Sequence, residues 1–375
     1  MAISQIGTNA IASSAVTNAK VAAGSQYYSF KNRIINGQMQ IDQRNSGASL
    51  TNNTGIQYPV DRFLVYGNGV ASKFTMQQNQ GSVTPPVGFT NYLGFTSSAA
   101  TTVASGDIYE VLQRIEGFNT ADLGWGTANA AAVTLSFKVY SSLTGTFGGA
   151  IQNSASTRSY PFSYTISSAN TWTSISVTIP GDTSGTWIGA TNGIGMQVIW
   201  GLGVGTTYSG TAGAWAGTAY YSVTGATSMV ATNGATFYIT GVQLETGSTA
   251  TSFDYRPYGT ELALCQRYYQ KFSGALTTNA AYCCGNGFNV SDVRFMMPLL
   301  VTMRAVPSTV TLSAANTFFV QGGNGNITPT GNNFLNATPY NIFFEFTGTS
   351  LYAQGYGYTL LDGNGTSSIQ VSAEL

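Results

Sequence analysis

The chain has 375 residues, carries 14 basic and 14 acidic side chains, and contains no histidine. Charged residues make up only 7% of it, against about 25% of an ordinary soluble domain. The net charge of zero argues against nucleic acid as a partner, because nucleic-acid binding needs a basic surface. The sequence has no apolar run of the roughly 18 residues that span a membrane, and no signal-peptide pattern at its start. We therefore expect neither nucleic-acid binding nor membrane insertion.

The N-terminal segment, residues 1–25, carries the one clear repeat. An isoleucine or valine recurs every five residues, at Ile6, Ile11, Val16 and Val21. A period of five fits neither a helix nor a strand, so a single chain could not bury this stripe. Parallel copies wound round one another could bury it, which predicts an intertwined, oligomer-forming stalk. The alternative is a disordered tail.

Short strands separated by Gly, Asn, Ser and Pro are predicted throughout residues 26–258. The clearest are residues 133–140 and 173–179, in which apolar and polar side chains alternate. About ten such strands, each with one solvated face, predict an all-β fold built as an antiparallel jelly-roll sandwich. The other candidates are residues 33–43, 61–66, 108–117, 194–200 and 236–244.

A short helical connector is predicted at residues 259–273, between this domain and a second one. Residues 261–269 are the best helical window of the chain, and Leu264, Tyr268 and Phe272 recur at helical spacing. We expect these three side chains to pack against a β-domain or against the same helix in neighbouring chains.

Residues 274–375 predict a second, smaller β-sandwich domain, in which residues 342–346 form a strongly apolar strand. The most informative pattern is residues 351–360. In a strand, Tyr352, Gln354, Tyr356 and Tyr358 would share one face, while an alanine and two glycines at 353, 355 and 357 would leave the other face nearly bare. Aromatic rings stack on sugars while amides and hydroxyls bond sugar hydroxyl groups, so this face is a candidate glycan-binding site. The alternative is that the same tyrosines pack on an oligomer axis or against a facing sheet.

A second candidate site lies in residues 201–218. Its glycines superficially suggest a dinucleotide fingerprint, but no helix pattern follows to hold a phosphate, and we reject that interpretation. Tyr208 and Trp215 on this glycine-rich loop could instead form a glycan platform. Alternatively, they plug the open end of the sandwich.

Metal and cofactor sites have no support in the sequence. Without histidine the chain lacks the usual zinc sites and the Ser-His-Asp and Cys-His arrangements. Its three cysteines, Cys265, Cys283 and Cys284, have no metal-ligand spacing and are predicted to be free thiols. We expect no metal and no cofactor.

A pair of carboxylates of the glycosidase type is the one catalytic arrangement that the composition permits. Four carboxylates, Asp107, Glu110, Glu116 and Asp122, lie close in sequence, and Glu110, Arg114 and Glu116 fall on one face of a regular strand. Opposed charges on one strand face more often form surface ion pairs. We therefore expect no catalytic residues and no enzymatic activity.

Many segments, matching in order, resemble bacteriophage tail-fibre proteins. They include NRIINGQMQIDQRNSGAS at 32–49, QRIEGFNTADLGWGTANAAAVTLSFKV at 113–139 and GVQLETGSTATSFDYRPYGTELALCQRYYQK at 241–271. The resemblance covers residues 32–271 and extends to the repeat in residues 1–25. It implies a jelly roll like that of carbohydrate-binding modules, carried on a homotrimeric virion fibre that is assembled in the host cytoplasm.

The same resemblance implies partners. Residues 1–25 would dock to other tail or baseplate proteins of the virion, and residues 274–375 would form the distal tip that meets host surface polysaccharide. Three functions therefore stay open: a fibre that adheres to host glycans, a purely architectural fibre whose adhesin is another protein, and a polysaccharide-degrading fibre.

Overall fold

A computed structural model describes residues 30–273, 279–323, 325–348 and 352–375. The repeat of Ile6, Ile11, Val16 and Val21 lies outside the described residues, and the stalk stays a prediction. Among the described residues, no helix combines the length and the apolar character needed to cross a bilayer.

The described residues contain one α-helix, α1 (Tyr258–Gln266). The strands before it are β1 (Leu50–Thr51), β2 (Gly55–Val60), β3 (Phe63–Gly67), β4 (Phe74–Gln78), β5 (Leu93–Ser97), β6 (Ile108–Glu116), β7 (Val133–Ser141), β8 (Gly145–Gln152), β9 (Ser159–Ile166), β10 (Thr173–Ile179), β11 (Ile194–Val204), β12 (Ser209–Gly210), β13 (Ser222–Val223) and β14 (Thr236–Thr246). Those after it are β15 (Tyr269–Ser273), β16 (Ala281–Gly287), β17 (Asp292–Pro298), β18 (Thr309–Leu312), β19 (Phe318–Gly322), β20 (Gly325–Ile327), β21 (Gly331–Ala337), β22 (Asn341–Thr347), β23 (Gly357–Asp362) and β24 (Ser368–Ser372). Single 3₁₀ turns lie at Gln80–Ser82, Gly117–Asn119, Ala121–Leu123, Thr206–Tyr208, Met229–Ala231 and Ala315–Thr317.

The larger part of the chain is a sandwich of two six-stranded antiparallel sheets. Sheet A has the order β1-β4-β5-β14-β7-β10 and sheet B the order β2-β3-β6-β11-β8-β9. Their facing side chains form one core, in which Phe137 of β7 meets Trp200 of β11 edge-on with ring centroids 5.7 Å apart. The all-β jelly-roll prediction is confirmed.

Alternation explains which face of each strand is buried. In β7 the side chains of Val133, Leu135 and Phe137 are buried between the sheets, whereas Ser136 and Lys138 face outward. A shift of one residue in the pairing of β7 with β10 would turn the buried apolar side chains to the solvent face. Burial of one face therefore fixes the register of this pair.

The strand predicted at residues 33–43 is wrong. The described segment forms no continuous ladder. It makes isolated backbone hydrogen bonds, such as Arg33 N–H to the Leu244 carbonyl at 2.9 Å, and side-chain amides satisfy much of the rest. The Gln113 amide accepts a hydrogen bond from the Ile35 N–H and donates one to the Ile35 carbonyl, both at 2.8 Å. The Asn36 amide likewise donates to the carbonyls of Ile41 and Asp61, both at 2.8 Å. An extended segment held in this way has the same apolar pattern as a strand.

The connector is also shorter than expected. Helix α1 ends at Gln266, and residues Tyr269–Ser273 form β15, which pairs with β24 of the second domain. The predicted helical stripe is therefore wrong beyond Leu264: Tyr268 lies in the turn after the helix, and Phe272 lies in β15 and packs on the core of the second domain. The helix stops because the backbone after Tyr268 finds a strand partner.

The second domain contains a three-stranded sheet, β15-β24-β18, and a seven-stranded sheet, β20-β19-β23-β16-β17-β22-β21. The apolar strand predicted at residues 342–346 is confirmed as β22. Its inward side chains Ile342, Phe344 and Phe346 are buried, and Phe344 stacks on Phe295 with ring centroids 5.8 Å apart.

The two domains are joined by buried charges. Arg62 of the sandwich is 2% exposed, forms an ion pair with Glu374 of the second domain, and lies 3.5 Å from the centre of the Tyr268 ring. Arg44 approaches the same carboxylate at 3.0 Å. Glu116 pairs with Arg267 at 2.7 Å and accepts the Tyr268 hydroxyl at 2.8 Å. Contacts of this kind fix the second domain against sheet B.

Candidate functional site

The outer face of sheet A carries a row of aromatic rings, formed by Tyr92, Tyr140, Trp172 and Tyr238. Tyr140 and Tyr238 are opposite each other on β7 and β14, and their rings stack almost in parallel with centroids 5.3 Å apart. Tyr92 stacks on the other side of Tyr238 at 5.1 Å, and Trp172 meets Tyr140 at 5.5 Å. Burial raises the pKa of the Tyr92 and Tyr238 hydroxyls above their usual value of 10, so both stay neutral.

Next to this row, the outer face changes from aromatic to polar. Lys138 of β7 lies opposite Ser174 of β10 and Thr240 of β14. Two residues further along β7 and β10, Ser136 lies opposite Ser176. Successive outward side chains on a strand are two residues apart, so the three serines form a floor of hydroxyls around one ammonium group. The Thr240 hydroxyl is buried and donates to the Asn91 carbonyl at 2.7 Å.

A β-bulge in β14 widens the floor at Gly241. The register of β14 against β7 shifts between Thr240 and Gln243, and Gly241 has a φ of +62°. A Cβ at this position would lie 2.7 Å from the Phe89 ring. Glycine therefore permits both the left-handed backbone and the approach of Phe89 to the sheet.

Phe89 is part of an aromatic wall beside the floor. It meets Phe253 edge-on at 5.1 Å and Tyr255 at 5.7 Å, and Phe253 meets Tyr255 at 5.0 Å. The Tyr255 side chain is 54% exposed. Its ring can therefore contact a ligand without any rearrangement.

Floor and wall enclose an open groove of about 450 Å³, which we call the sheet A groove. Among the described residues, its lining contains one charged residue, Lys138, and no carboxylate. The residues that line it are Val87, Phe89, Ser136, Phe137, Lys138, Ser174, Ile175, Ser176, Gly241, Ala250, Thr251, Ser252, Phe253 and Tyr255. An apolar surface with a few convergent polar groups is typical of a binding site.

The residues predicted to form a glycan site in the second domain do not share one face. Residues 353–356 form a turn at Gly355, whose φ is +80°, and β23 begins only at Gly357. Tyr352 and Tyr358 are buried with ring centroids 5.5 Å apart, and the Tyr358 hydroxyl accepts the Ala353 N–H at 2.8 Å. Gln354 and Tyr356 are exposed. The single-strand arrangement is therefore wrong, because the chain reverses inside the predicted strand.

Tyr208 and Trp215 are not brought together either. Tyr208 packs on Tyr221 at 5.5 Å, on the outside of sheet B. Trp215 packs on Trp125 and Trp187 at 5.3 and 5.6 Å, and its indole N–H donates to the Pro180 carbonyl at 3.0 Å. This geometry fits the alternative in which Trp215 closes an end of the sandwich.

The carboxylates considered for catalysis are held apart. Asp122 pairs with Arg33 at 2.6 Å, which lowers the pKa of the Asp122 carboxyl. Glu110 and Glu116 lie on β6 but are buried, so the expectation of surface ion pairs is wrong for both. Glu116 is covered by the second domain and paired with Arg267. Within the described residues, the Oε2 atom of Glu110 has no hydrogen-bond partner.

Burial of Glu110 makes the stability of the protein depend on pH. It raises the pKa of this carboxyl from 4.5 to about 8. The folded state then binds the proton more tightly than the unfolded state, so stability falls as pH rises from about 4.5 to about 8. We expect Glu110→Gln to remove this fall, which makes the variant more stable than the unsubstituted protein at pH 9 by on the order of 5 kcal/mol.

Urea unfolding of both proteins at pH 5, 7 and 9 measures this difference. The control is Asp122→Asn, because the pKa of Asp122 is lowered and its titration lies below this pH range. Parallel stability curves for Glu110→Gln and the unsubstituted protein would show that Glu110 is already ionised at neutral pH.

The groove residues were not singled out from the sequence. Ser136, Lys138, Ser174 and Ser176 are the polar half of the same alternation that predicted β7 and β10, and a polar strand face is ordinarily solvated. Two features of the sequence could have pointed to the groove. One is the pair of aromatic residues Phe253 and Tyr255, and the other is Gly241, a glycine inside a predicted strand.

Comparison with protein-family models gives no match. No curated protein matches the sequence either. Among solved structures, the chain is similar to the enzymatically active domain of tailspike protein 4 from bacteriophage CBA120, with 10% identity and a TM-score of 0.29. That match covers 58% of this chain and 22% of the tailspike chain, so the chain spans about a fifth of the tailspike's length.

Two further similar structures are smaller proteins. A putative sugar-binding protein from Bacteroides thetaiotaomicron has 14% identity and a TM-score of 0.32, over 58% of this chain and 100% of its own. The family 11 carbohydrate-binding module of a cellulosomal cellulase from Clostridium thermocellum has 11% identity and a TM-score of 0.27, over 53% and 98%. Sequence identities and TM-scores this low do not indicate what this chain binds.

Proposed function

We propose that this chain is a non-catalytic subunit of a homotrimeric phage tail fibre, and that it binds host cell-surface glycans through the sheet A groove. The observation that carries the proposal is the composition of the groove: an exposed tyrosine ring and apolar wall beside a floor of hydroxyls, without a carboxylate. Sugar rings offer C–H faces for the aromatic wall and hydroxyl groups for the floor.

The virion part of the proposal is supported by the sequence resemblance of residues 32–271 to tail-fibre proteins. Docking to tail or baseplate proteins through residues 1–25 belongs to the same proposal. The groove is open and shallow enough that one site would bind weakly. Three copies on one fibre would strengthen binding through effective concentration.

Binding of the full-length protein to purified host surface polysaccharide tests the proposed function. We expect saturable binding without release of reducing sugar. No binding would favour the purely architectural fibre, and sugar release would favour the degrading one.

Assembly is tested separately by sedimentation equilibrium. The chain has a mass of 39.4 kDa, and we expect full-length protein at micromolar concentration to sediment at three times that mass. Closed cyclic symmetry suits a shaft with one attachment end. Deleting residues 1–24 should weaken the trimer without abolishing it, because exposed apolar side chains such as Met296 and Leu300 remain available for contacts between copies. A full-length monomer would contradict the proposal.

A further inference from the structure

Of the described residues that line the sheet A groove, Lys138 alone is charged. Its ammonium group donates one hydrogen bond, to the Ser174 hydroxyl at 2.9 Å. An ammonium group has three donors, so two remain for a ligand. Among the described residues, none of the ion pairs includes Lys138.

Two carboxylates that are adjacent in sequence or structure to lining residues, Glu245 and Asp254, are already engaged. Glu245, on the same outer face of β14, accepts hydrogen bonds from the Gln243 amide at 2.8 Å, the Thr251 N–H at 2.8 Å and the Thr251 hydroxyl at 2.6 Å. Asp254 accepts the Asn32 N–H at 3.2 Å and lies 4.0 Å from Arg256. Neither carboxylate is among the residues that line the groove.

A second cation, Lys31, lies at the edge of the groove, where the Thr251 hydroxyl connects it to the buried Glu245 carboxylate. The Lys31 ammonium donates to the Ser252 carbonyl at 2.7 Å and to the Thr251 hydroxyl, and both of these residues belong to the groove lining. Within the described lining, the available positive charge is therefore that of Lys138.

We propose that the sheet A groove selects glycans that carry an anionic substituent, a carboxylate or a sulfate, and that Lys138 is the residue that recognises it. This inference rests on the proposed function. The anionic group binds above Lys138 and Ser174, the sugar ring packs against Tyr255, and the hydroxyls of Ser136 and Ser176 bond the neighbouring sugar hydroxyls. A charge-assisted hydrogen bond is about twice as strong as a neutral one.

The test uses full-length protein and immobilised oligosaccharides in matched pairs: uronic-acid oligosaccharides with their carboxyl-reduced forms, and sulfated oligosaccharides with their desulfated forms. We expect the acidic member of a binding pair to bind at least about tenfold more tightly, which corresponds to 1.4 kcal/mol. The carboxylated and sulfated arms distinguish the two sources of negative charge.

Lys138→Gln should reduce the ratio between the affinities for the acidic and the neutral member to near one. Lys73→Gln, a lysine outside the groove lining, is the matched control and should keep the full ratio. Equal binding of both members by the unsubstituted protein, or an unchanged ratio in Lys138→Gln, would overturn the inference and leave the proposed function intact. If no oligosaccharide binds, neutral or acidic, both the inference about Lys138 and the proposed function are overturned.

Discussion

We expect Glu374→Gln to lower the free energy of unfolding by about 3–5 kcal/mol. Glu374 is the carboxylate partner of Arg62, whose side chain is 2% exposed and lies against the Tyr268 ring. The amide keeps the size of the side chain but leaves the Arg62 guanidinium buried without its counter-charge. Arg44, which approaches the same carboxylate at 3.0 Å, loses part of its pairing as well. Urea unfolding followed by circular dichroism measures the change.

Glu345→Gln provides the matched control. It makes the same substitution in an ion pair of the second domain whose arginine, Arg294, is 33% exposed. A pair that is partly solvated contributes about 0–1 kcal/mol, so this variant should be nearly as stable as the unsubstituted protein. Equal losses in the two variants would show that burial of Arg62 does not govern the strength of the contact between the domains.

The second large effect concerns the sheet A groove. We expect Ser176→Trp to weaken binding to host surface polysaccharide at least about 100-fold, or 2.7 kcal/mol. Ser176 is exposed on β10 and lines the groove floor, so an indole there fills the space in front of Tyr255 without entering the core. A tryptophan is well tolerated on a half-exposed strand, and the melting temperature should change little.

Thr165→Trp controls for the added ring. Thr165 is equally exposed and also lies on an edge strand, β9, but in sheet B. Isothermal titration with the same polysaccharide should give unchanged affinity for this variant. Binding that survives in Ser176→Trp but is lost in Thr165→Trp would move the site to sheet B.

The sandwich could be predicted from the sequence because its strands have one buried and one solvated face. Residues 173–179 alternate strictly, and they correspond to β10 without an error at either end. Residues 33–43 show the limit of the same argument. Their apolar side chains are buried, but Gln113 and Asn36 supply the hydrogen bonds that a neighbouring strand would supply. An apolar pattern indicates which side chains are buried, but it does not indicate which groups form hydrogen bonds with the backbone.

The glycan site was predicted in the second domain for a related reason. Alternation in residues 351–360 placed four side chains on one face, but Gly355 reverses the chain and buries Tyr352 and Tyr358. The sheet A groove, in contrast, is assembled from β7, β10, the bulge at Gly241 and residues 250–255. These segments are far apart in sequence, and their meeting depends on the strand order of sheet A.

Hydrogen–deuterium exchange of full-length protein, with and without saturating host surface polysaccharide, tests the central claim most directly. We expect the polysaccharide to slow exchange in residues 134–140, 173–178 and 250–255, which form the floor and wall of the sheet A groove. Protection confined to residues 352–358 or 206–218, with unchanged exchange in the groove, would contradict the account.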